Sequence, residues 1–439
     1  MSHTATRFGA MAVALTAGFA LAACSGGTTP PTSGGEASPP QEKVELTFQQ
    51  FDPAAQVVGL QAAIDEFNAS QDRIHVTMQI VAFADALNTF VREAGAGGGA
   101  DVLHTAFTWT GDLASNGMIV NLEEYIAQNP PESPVDSFVG KEINTYEGSL
   151  YALPFTADSF ALTYNPDRLA AAGVTAPPAT WEELSDVAAK ATSGNQYGLC
   201  IPMAGAPGSE IWHATNVYLW SHGSTVAANN GGTWAPGSTD AQLADAITYY
   251  KSFLENGSTP QNVLSIPLAG DPVIAEGLAN GDCAMSFQVP QQFTISLGSN
   301  DKLLSAPLPA GPEGRQLQMG GRSLSINKNS KHPAEAWEFI RYITTKSVFQ
   351  EHYTNQFPAQ STLLESRSFG PSLASETFAG YTESLLVART YVEYLGAPSP
   401  IPAMWNALVE KFNAAYAGQL TPADAAAQLN AELARQLEG

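Results

Sequence analysis

Tryptophans beside short polar side chains are the feature of this sequence best suited to chemistry at a binding site. Trp109 follows a predicted strand, and Trp212 stands in a segment with Glu210, His213 and Asn216. A sugar ring needs flat aromatic faces flanked by planar polar groups, because it presents apolar C–H faces and equatorial hydroxyl groups. Trp109 and Trp212 are therefore candidate stacking residues, with packing inside the protein as the alternative.

A second candidate is the sequence Gly320-Gly321-Arg322, which precedes an alternating strand pattern. Glycine lets the backbone approach a ligand closely, and a guanidinium group suits vicinal hydroxyls or an anion. The chain contains 42 acidic residues. A salt bridge from Arg322 to a neighbouring carboxylate is therefore the alternative to ligand binding.

Motifs typical of enzymes and of metal or nucleotide sites are missing from the sequence. The seven histidines show no i, i+4 pair and no partner at ligand spacing, so no metal is expected. There is no G-x-S-x-G elbow, and no carboxylate pair stands out as an acid and base. The glycine-rich run 95–100 follows a helix and precedes a strand, the reverse of a dinucleotide fingerprint. The sequence therefore predicts neither an enzyme nor a cofactor.

The elements that would position the candidates alternate between strand and helix. Period-two patterns predict strands from Val44, from Ile74 and over 102–107, with amphipathic helices between them. This alternation predicts a mainly parallel sheet with helices on both faces, where ligands bind at the carboxyl ends of strands. The loops at 50–53 and 108–112 are therefore candidate binding loops.

A second α/β set starts near Asp158. A buried strand is predicted over 159–164. Thr180 is then the predicted N-cap of a helix, with Glu183 completing a capping box. The length of the chain also exceeds one ordinary core, which predicts two or three domains.

The first residues predict export and attachment to a membrane. Arg7 precedes an uncharged stretch over 8–23 that is shorter than the ~20 residues of a spanning helix. It ends in Leu-Ala-Ala-Cys, the pattern of a bacterial lipoprotein signal peptide, so 1–23 is the predicted signal peptide and Cys24 the lipidated residue. Together with Cys24, the run of Gly, Ser, Thr and Pro up to residue 42 forms a predicted flexible linker. An uncleaved membrane anchor is the alternative.

Charge and cysteine content narrow the partners and the compartment. The formal net charge is −23, which argues against binding to nucleic acid and against polybasic attachment to lipid. After Cys24 only Cys200 and Cys283 remain, each in a short apolar run. A disulfide between them and two buried thiols are both open from the sequence.

Several short segments, in this order, resemble the solute-binding lipoproteins of ABC importers, in the carbohydrate group that includes maltose-binding protein. The resemblance runs from about Val44 to Leu437. Two departures are Ala100, where the family usually has proline, and Cys283, where it usually has a small residue. The segments that carry the resemblance are Ala100-Asp101-Val102, Asn116-Gly117, Leu150-Tyr151, Tyr164-Asn165, Thr180-Trp181-Glu182-Glu183, Gly281-Asp282-Cys283 and 331–340.

The resemblance implies a two-lobed α/β fold of the periplasmic-binding-protein type, with a ligand cleft between the lobes. The expected N-lobe comprises 43–157 plus 306–356, and the expected C-lobe 158–305 plus 357–439. It also implies a monomer outside the cytoplasm that captures a sugar or oligosaccharide by hinge closure and delivers it to the permease subunits. Alternative ligands are a glycerol phosphodiester, a polyol or an amino sugar, and a surface glycosidase is the alternative of another class.

The resemblance also assigns contacts position by position. Replacing Trp212 or Asp158 by alanine is expected to abolish stabilisation by the ligand and leave the ligand-free fold intact. The expected ligand contacts are Gln50, Asp52, Trp109, Asp158, Trp212, Gly321 and Arg322, with Phe287 and Trp405 as weaker candidates.

Overall fold

The structure, a computed structural model, describes residues 43–54, 57–353, 356–370, 372–385 and 387–438. The predicted signal peptide (1–23), the predicted lipidation residue Cys24 and the linker up to residue 42 lie outside the described residues. Within the described part, every helix is too short or too polar to cross a membrane.

The strands, in chain order, are β1 (Val44–Gln50), β2 (Ile74–Ile80), β3 (Val102–Ala106), β4 (Thr145–Tyr146), β5 (Ser149–Leu150), β6 (Leu153–Ser159), β7 (Ala161–Tyr164), β8 (Tyr197–Leu199), β9 (Ala227–Asn230), β10 (Thr233–Pro236), β11 (Cys283–Gln288), β12 (Leu304–Pro307), β13 (Met319–Ile326) and β14 (Phe357–Pro358). The α-helices are α1 (Val58–Ser70), α2 (Phe83–Gly95), α3 (Thr110–Ser115), α4 (Glu123–Gln128), α5 (Pro166–Ala171), α6 (Trp181–Ala191), α7 (Ile211–Ser221), α8 (Asp240–Glu255), α9 (Pro272–Asn280), α10 (Pro290–Leu297), α11 (Pro333–Ile343), α12 (Lys346–Glu351), α13 (Ser361–Glu365), α14 (Ala379–Leu385), α15 (Ile401–Tyr416) and α16 (Pro422–Leu437).

A six-stranded sheet, in the order β14-β6-β13-β3-β1-β2, forms the first lobe. Strand β1 pairs in parallel with β2 and β3, whereas β13 pairs antiparallel with β3 and β6. Alternate residues of the strands, such as Phe48 and Leu324, face a core that includes Trp337 and Phe339 of α11. Burial of these side chains holds α1 and α11 against the sheet.

A four-stranded sheet, in the order β12-β7-β11-β8, forms the second lobe. Strand β11 pairs in parallel with β8, and β7 pairs antiparallel with β11 and β12. Its core includes Trp181 of α6, Tyr250 of α8 and Phe287 of β11. Helices α8, α15 and α16 pack on one another in this lobe.

The predicted α/β class with two lobes is confirmed, but the prediction of mainly parallel sheets is wrong. Both sheets are mixed. The physical reason is that the chain passes between the lobes as β6 runs into β7 and again after β12. Strands β7 and β13 enter their sheets from the other lobe, and both run antiparallel to their neighbours.

The first crossing corrects another prediction. Residues 159–164 were expected to form one strand, but Ser159 ends β6 in the first sheet and Ala161 begins β7 in the second. Phe160, between them, belongs to neither strand and is 4% exposed. The sequence pattern over 159–164 is continuous, so it does not indicate where the chain passes from one lobe to the other.

The ends of α6 and α9 show how sequence signals bound helices in this fold. Asp271 caps α9, and Gly281 ends it with φ of +87°, a conformation that favours glycine. The hydroxyl of Thr180 accepts a hydrogen bond from the amide of Glu183, as predicted. The return bond of the predicted capping box is displaced by one residue, because the carboxylate of Glu183 accepts from the amide of Ala179.

A disulfide joins Cys200 and Cys283, so the structure contains the first of the two arrangements left open by the sequence. Cys283 begins β11, and Cys200 directly follows the neighbouring strand β8. Their Cα atoms are 5.8 Å apart, and both side chains are buried. The bond closes a segment that contains α7, α8 and α9.

Candidate ligand-binding site

Three of the expected site residues meet in one buried ion-pair cluster. Asp52 lies in the loop after β1, Asp158 near the end of β6, and Arg322 on β13 between the two strand ends. The Nη2 atom of Arg322 lies 3.0 Å from Oδ1 of Asp52, and its Nη1 atom donates to Oδ2 of Asp158. The Nε2 atom of Gln356 also donates to Asp52, at 3.1 Å. The salt-bridge alternative for Arg322 is therefore the one observed.

Burial and neighbouring charges act in opposite directions on these groups. Burial, the largest single influence, would raise the pKa of Asp52, but the charges of Arg322 and His104 and the hydrogen bonds from Arg322 and Gln356 together outweigh it and hold that pKa below its usual range. The pKa of Asp158 is raised. Burial and the negative charge of Asp52 raise it, and together they exceed the lowering by Arg322. Burial alone would lower the pKa of Arg322, but the two carboxylates raise it and keep the guanidinium charged.

Gln50 and Gly321 support this cluster. The amide of Gln50 donates to the carbonyl oxygen of Asp52 at 2.9 Å and accepts from its backbone N–H at 2.6 Å, which fixes the loop. A side chain at Gly321 would collide with the carbonyl oxygen of Thr156 and the ring of Phe107. The glycine thus lets β13 pack closely on β6, and the structure gives it this role within the fold.

An aromatic cluster in the first lobe lies beside the ion pairs. Phe51 lies 5.6 Å from the guanidinium carbon of Arg322, and its ring stacks on His104 at 4.9 Å. Trp109 lies 5.1 Å from Phe51 and stacks on Phe83 at 5.4 Å. Phe83 is 39% exposed and Trp109 only 6%, so Phe83 presents the open aromatic face here.

A second aromatic cluster belongs to the second lobe. Trp212 stacks on Trp405 with an interplanar angle of 15° and also contacts Tyr391 and Tyr394. Trp212 is fully buried, whereas Trp405 is 8% exposed and donates from Nε1 to the carbonyl oxygen of Ser209. Trp405, ranked the weaker candidate by sequence, is thus nearer the surface than Trp212.

His213 connects this second cluster to the crossing between the lobes. Its ring stacks on Phe160 at 4.9 Å, and its Nδ1 atom lies 2.7 Å from the hydroxyl of Tyr391. Phe287, the other weaker candidate, is 2% exposed and packs edge-on against Trp181. Phe287 therefore lies in the core of the second lobe, behind Phe160.

Glu210 lies at the start of α7 beside the same crossing. Its Oε2 atom accepts from the backbone N–H of Ala269 at 2.7 Å, and Oε1 accepts from the side chain of Gln292. Burial raises the pKa of this carboxyl to about 7 against the hydrogen bonds from Ala269 and Gln292, with a further contribution from Asp158. Glu210 lines a small cavity with Phe160 and Phe287.

The two aromatic clusters approach each other where the lobes touch. The turn Phe107–Trp109 contacts α15, which carries Trp405. The turn Glu142–Asn144 contacts the turn Tyr391–Tyr394. The ion pairs, the first-lobe aromatics and the second-lobe aromatics therefore border one cleft region.

Several residues of this region were missed by sequence reasoning. Phe51 lies between Gln50 and Asp52, so the predicted loop could have pointed to it. Tyr391 and Tyr394 belong to a short turn without strand or helix periodicity, which gave no signal. The other missed residues are Phe83, His104, Phe160 and Gln356.

One group of described residues has ligand atoms close enough together for a metal ion, namely Glu66, Glu351 and His352. Both carboxylates are exposed, and His352 already pairs with Glu66 at 2.8 Å. These residues belong to α1 and the end of α12 and contribute nothing to the cleft region.

Two histidines, the buried His104 and the half-buried His213, predict that the fold is sensitive to acid. Burial lowers the pKa of His213 from 6.5 to about 3. Burial also lowers that of His104 to about 4, with Asp52 opposing and Arg322 assisting. Both pKa values return towards about 6.5 in the unfolded chain. Below that pH the unfolded chain binds more protons than the folded one, so the free energy of unfolding decreases as the pH falls from 6.5 to 4.

The variant His213→Gln tests this expectation in urea titrations between pH 4.5 and 7. Removing one histidine with a lowered pKa should make the pH dependence of the unfolding free energy shallower by up to about 1.4 kcal/mol per pH unit, with the largest effect at the acid end of this range. Glu210 contributes a slope of the opposite sign, but both proteins contain it. His75→Gln, at an exposed position of β2, is the matched control. Equal slopes for His213→Gln and the parent protein would contradict the assignment.

Comparison with known proteins gives one family and many structural relatives. A family model described as bacterial extracellular solute-binding protein matches residues 54–348. A putative binding protein of Brucella abortus (strain 2308) is 29% identical over 297 residues, which cover 64% of this chain and 67% of that protein. The maltotriose-binding protein of Pyrococcus abyssi is 30% identical over 264 residues, or 57% of this chain and 52% of that protein.

Solved structures share the fold at lower identity. The GacH receptor of Streptomyces glaucescens, solved without ligand and with acarbose, superposes with a TM-score of 0.77 at 22% identity. That match covers 91% of this chain and 99% of the receptor. The maltose-bound MalE3 of T. maritima gives a TM-score of 0.72 at 21% identity, covering 89% and 99% of the two chains. These similarities show the two-lobed architecture.

Proposed function

Because the chain belongs to the bacterial extracellular solute-binding proteins, we propose that it captures a sugar or oligosaccharide in its cleft and delivers it to the permease of an ABC importer. Its relatives include a maltotriose-binding protein, matched by sequence, and binding proteins solved with acarbose and with maltose, matched by structure. The family and these relatives are binding proteins, and we propose that this chain likewise releases its ligand unchanged.

The observation that carries the proposal is the pairing of aromatic clusters from different lobes around buried polar groups. Phe83 and Trp109 border the cleft region from the first lobe, and Trp405 and His213 border it from the second. Aromatic faces suit the C–H faces of a sugar, and the carboxylates suit its hydroxyl groups. A ligand that touches both clusters binds best when they are close, so it shifts the hinge equilibrium towards the closed form.

The ion pairs argue against the alternative of a surface glycosidase. A glycosidase needs two carboxyl groups free to act as acid and as nucleophile or base. Asp52 and Asp158 are instead both bound to Arg322. Product analysis after incubation with the bound sugar tests this directly, because recovery of cleaved sugar would favour the enzyme.

The location and the assembly state are part of the proposal. The lipoprotein signal pattern that ends at Cys24 supports export, lipid attachment at that cysteine and a tether up to residue 42. A monomer on the outer face of the cell membrane would meet the permease directly. Metabolic labelling with a fatty acid should mark the wild-type chain and leave Cys24→Ala unlabelled.

Calorimetry and thermal unfolding with defined sugars test the function. The probes are maltose, maltotriose, glucose, glucosamine, a polyol and a glycerol phosphodiester. A sugar present at 100 times its dissociation constant should raise the free energy of unfolding by about 2.7 kcal/mol. Small-angle scattering should show compaction with the same sugar. Absence of heat, stabilisation and compaction with every probe would overturn the proposal.

The variant Trp212→Phe locates the binding region. Because Trp212 is fully buried, the expectation that Trp212→Ala leaves the fold intact is replaced: such a truncation costs roughly 3–5 kcal/mol. Phenylalanine keeps part of the stack on Trp405, and affinity for the binding sugar should fall roughly tenfold, or about 1.4 kcal/mol. Trp337→Phe, buried in the first-lobe core, is the matched control and should bind normally.

A further inference from the structure

We propose that Glu210 makes the cleft selective for a ligand that carries a protonated amine, such as an amino sugar, over its neutral and acidic counterparts. The inference deepens the proposed function and rests on it. It follows from the charges that the described residues bring to the cleft region.

Two carboxylates already compensate the positive charge of Arg322. Both terminal nitrogens of its guanidinium are paired, one with Asp52 and one with Asp158. The three groups together carry a net negative charge when both carboxylates are ionised. An anionic ligand placed here would meet two carboxylates at close range, so the arginine does not make the cleft a receptor for phosphate or carboxylate groups.

Glu210 adds a third carboxylate without a cation of its own. Among the described residues, the ion pairs formed by lysine, arginine and histidine do not include Glu210. Its hydrogen-bond donors, Ala269 and Gln292, are neutral. His213, the next basic side chain along α7, has a pKa of about 3 and is neutral at physiological pH. The carboxylate therefore lacks the partner that buried charges usually have.

A protonated amine would supply that partner. An ionised carboxylate has about four acceptor positions, and Glu210 uses one on each oxygen, so acceptor positions are left for an ammonium group. The bond would be charge-assisted on both sides and stronger than one to a hydroxyl group. The ring of Phe160 lines the same small cavity as Glu210, and an aromatic ring favours a cation over a neutral group as well.

A structural role for Glu210 is the competing explanation. Its backbone N–H donates to the carbonyl oxygen of Pro267, and its side chain holds Ala269, so it fixes the loop before α9. Loosening that loop would weaken every ligand alike. A selectivity role would instead change the ratio of two affinities, which makes that ratio the decisive measurement.

Matched ligands separate these roles in calorimetric titrations of the full chain at pH 8. The first series is glucose, glucosamine and glucuronate, and the second is cellobiose and the disaccharide of two glucosamine units, with its N-acetylated form as a neutral control. The amine should bind at least tenfold tighter than its neutral counterpart, and glucuronate should bind weakest. Glu210→Gln should bring the ratio of amine to neutral affinity close to one, and the exposed Glu255→Gln should leave it unchanged.

The outcomes distinguish the two proposals. If neutral sugars bind and the amine has no advantage, the inference about Glu210 is overturned and the proposed function stands. Proportional weakening of both ligands in Glu210→Gln would assign this residue a structural role only. If no sugar in the series or among the malto-oligosaccharides binds, both proposals fail. The comparison of ligands on the wild-type chain needs no variant and decides the amine preference even if Glu210→Gln does not fold.

Discussion

Replacing Arg322 by methionine should lower the free energy of unfolding at pH 7 by roughly 3–5 kcal/mol, the usual result of removing one partner from a buried ion pair. Asp52 and Asp158 are 3% and 6% exposed, and both lose their cation in this variant. Their desolvation cost then has no compensation, apart from the hydrogen bond from Gln356 to Asp52. Urea titration of the parent and variant proteins measures the difference.

A charge-matched control separates lost charge from lost packing. The triple variant Asp52→Asn, Asp158→Asn, Arg322→Met contains neither carboxylate and should recover much of the stability lost in the single variant. The single variant should also approach the parent protein as the pH is lowered, because its unpaired carboxylates take up protons. A single variant as stable as the parent at pH 7 would show that the cluster contributes nothing to the fold.

The strands and helices within each lobe could be predicted from the sequence, because they depend on local patterns of apolar residues. Strand β1 and helix α1 follow directly from the alternation and helical spacing of apolar residues between Val44 and Phe67. The passage between the lobes at Phe160 could not be predicted, because a segment that leaves one sheet and enters another has the same apolar pattern as a strand within one sheet. Strand direction at the crossings depends on which lobe the chain comes from, and periodicity contains no such information.

The site was predictable at its charged centre and less so at its aromatic borders. The strand-end rule pointed to the loop that contains Asp52, because ligands bind at the carboxyl ends of strands. Asp158 was assigned by the family resemblance. The resemblance ranked Trp212 above Trp405, whereas Trp405 is the more exposed of the two in the structure. Their exposure depends on how α7 packs against α15 and on the position of Tyr391, which are contacts between segments far apart in the chain.

The charge arrangement also explains why a strongly acidic chain has an arginine in the cleft. Without Arg322, the carboxylates at the ends of β1 and β6 would repel each other in a buried site. The positive charge of Arg322 holds both carboxylates in fixed positions and keeps at least one of them ionised. Their oxygens can therefore accept hydrogen bonds from a ligand. The arginine thus positions acceptors and does not itself need to touch the ligand.

Removing the disulfide should have a comparable effect on stability. The bond joins residues 83 positions apart, and a loop of this size corresponds to about 4–5 kcal/mol in the chain-entropy model, which is an upper limit. The variant Cys200→Ala/Cys283→Ala should therefore unfold at a lower guanidinium concentration than the oxidised parent.

Comparison with a reducing agent isolates the role of the covalent bond. Reductant should shift the guanidinium midpoint of the parent towards that of the double variant and leave the variant unchanged. The effect should be specific to the second lobe, because the bond ties the end of β8 to β11 and encloses Glu210 and the helix α7 that follows it. Hydrogen exchange should accordingly become faster in α7–α9 and stay the same in β1–β3. Identical midpoints with and without reductant would mean that the packing around Cys200 and Cys283 alone holds this segment.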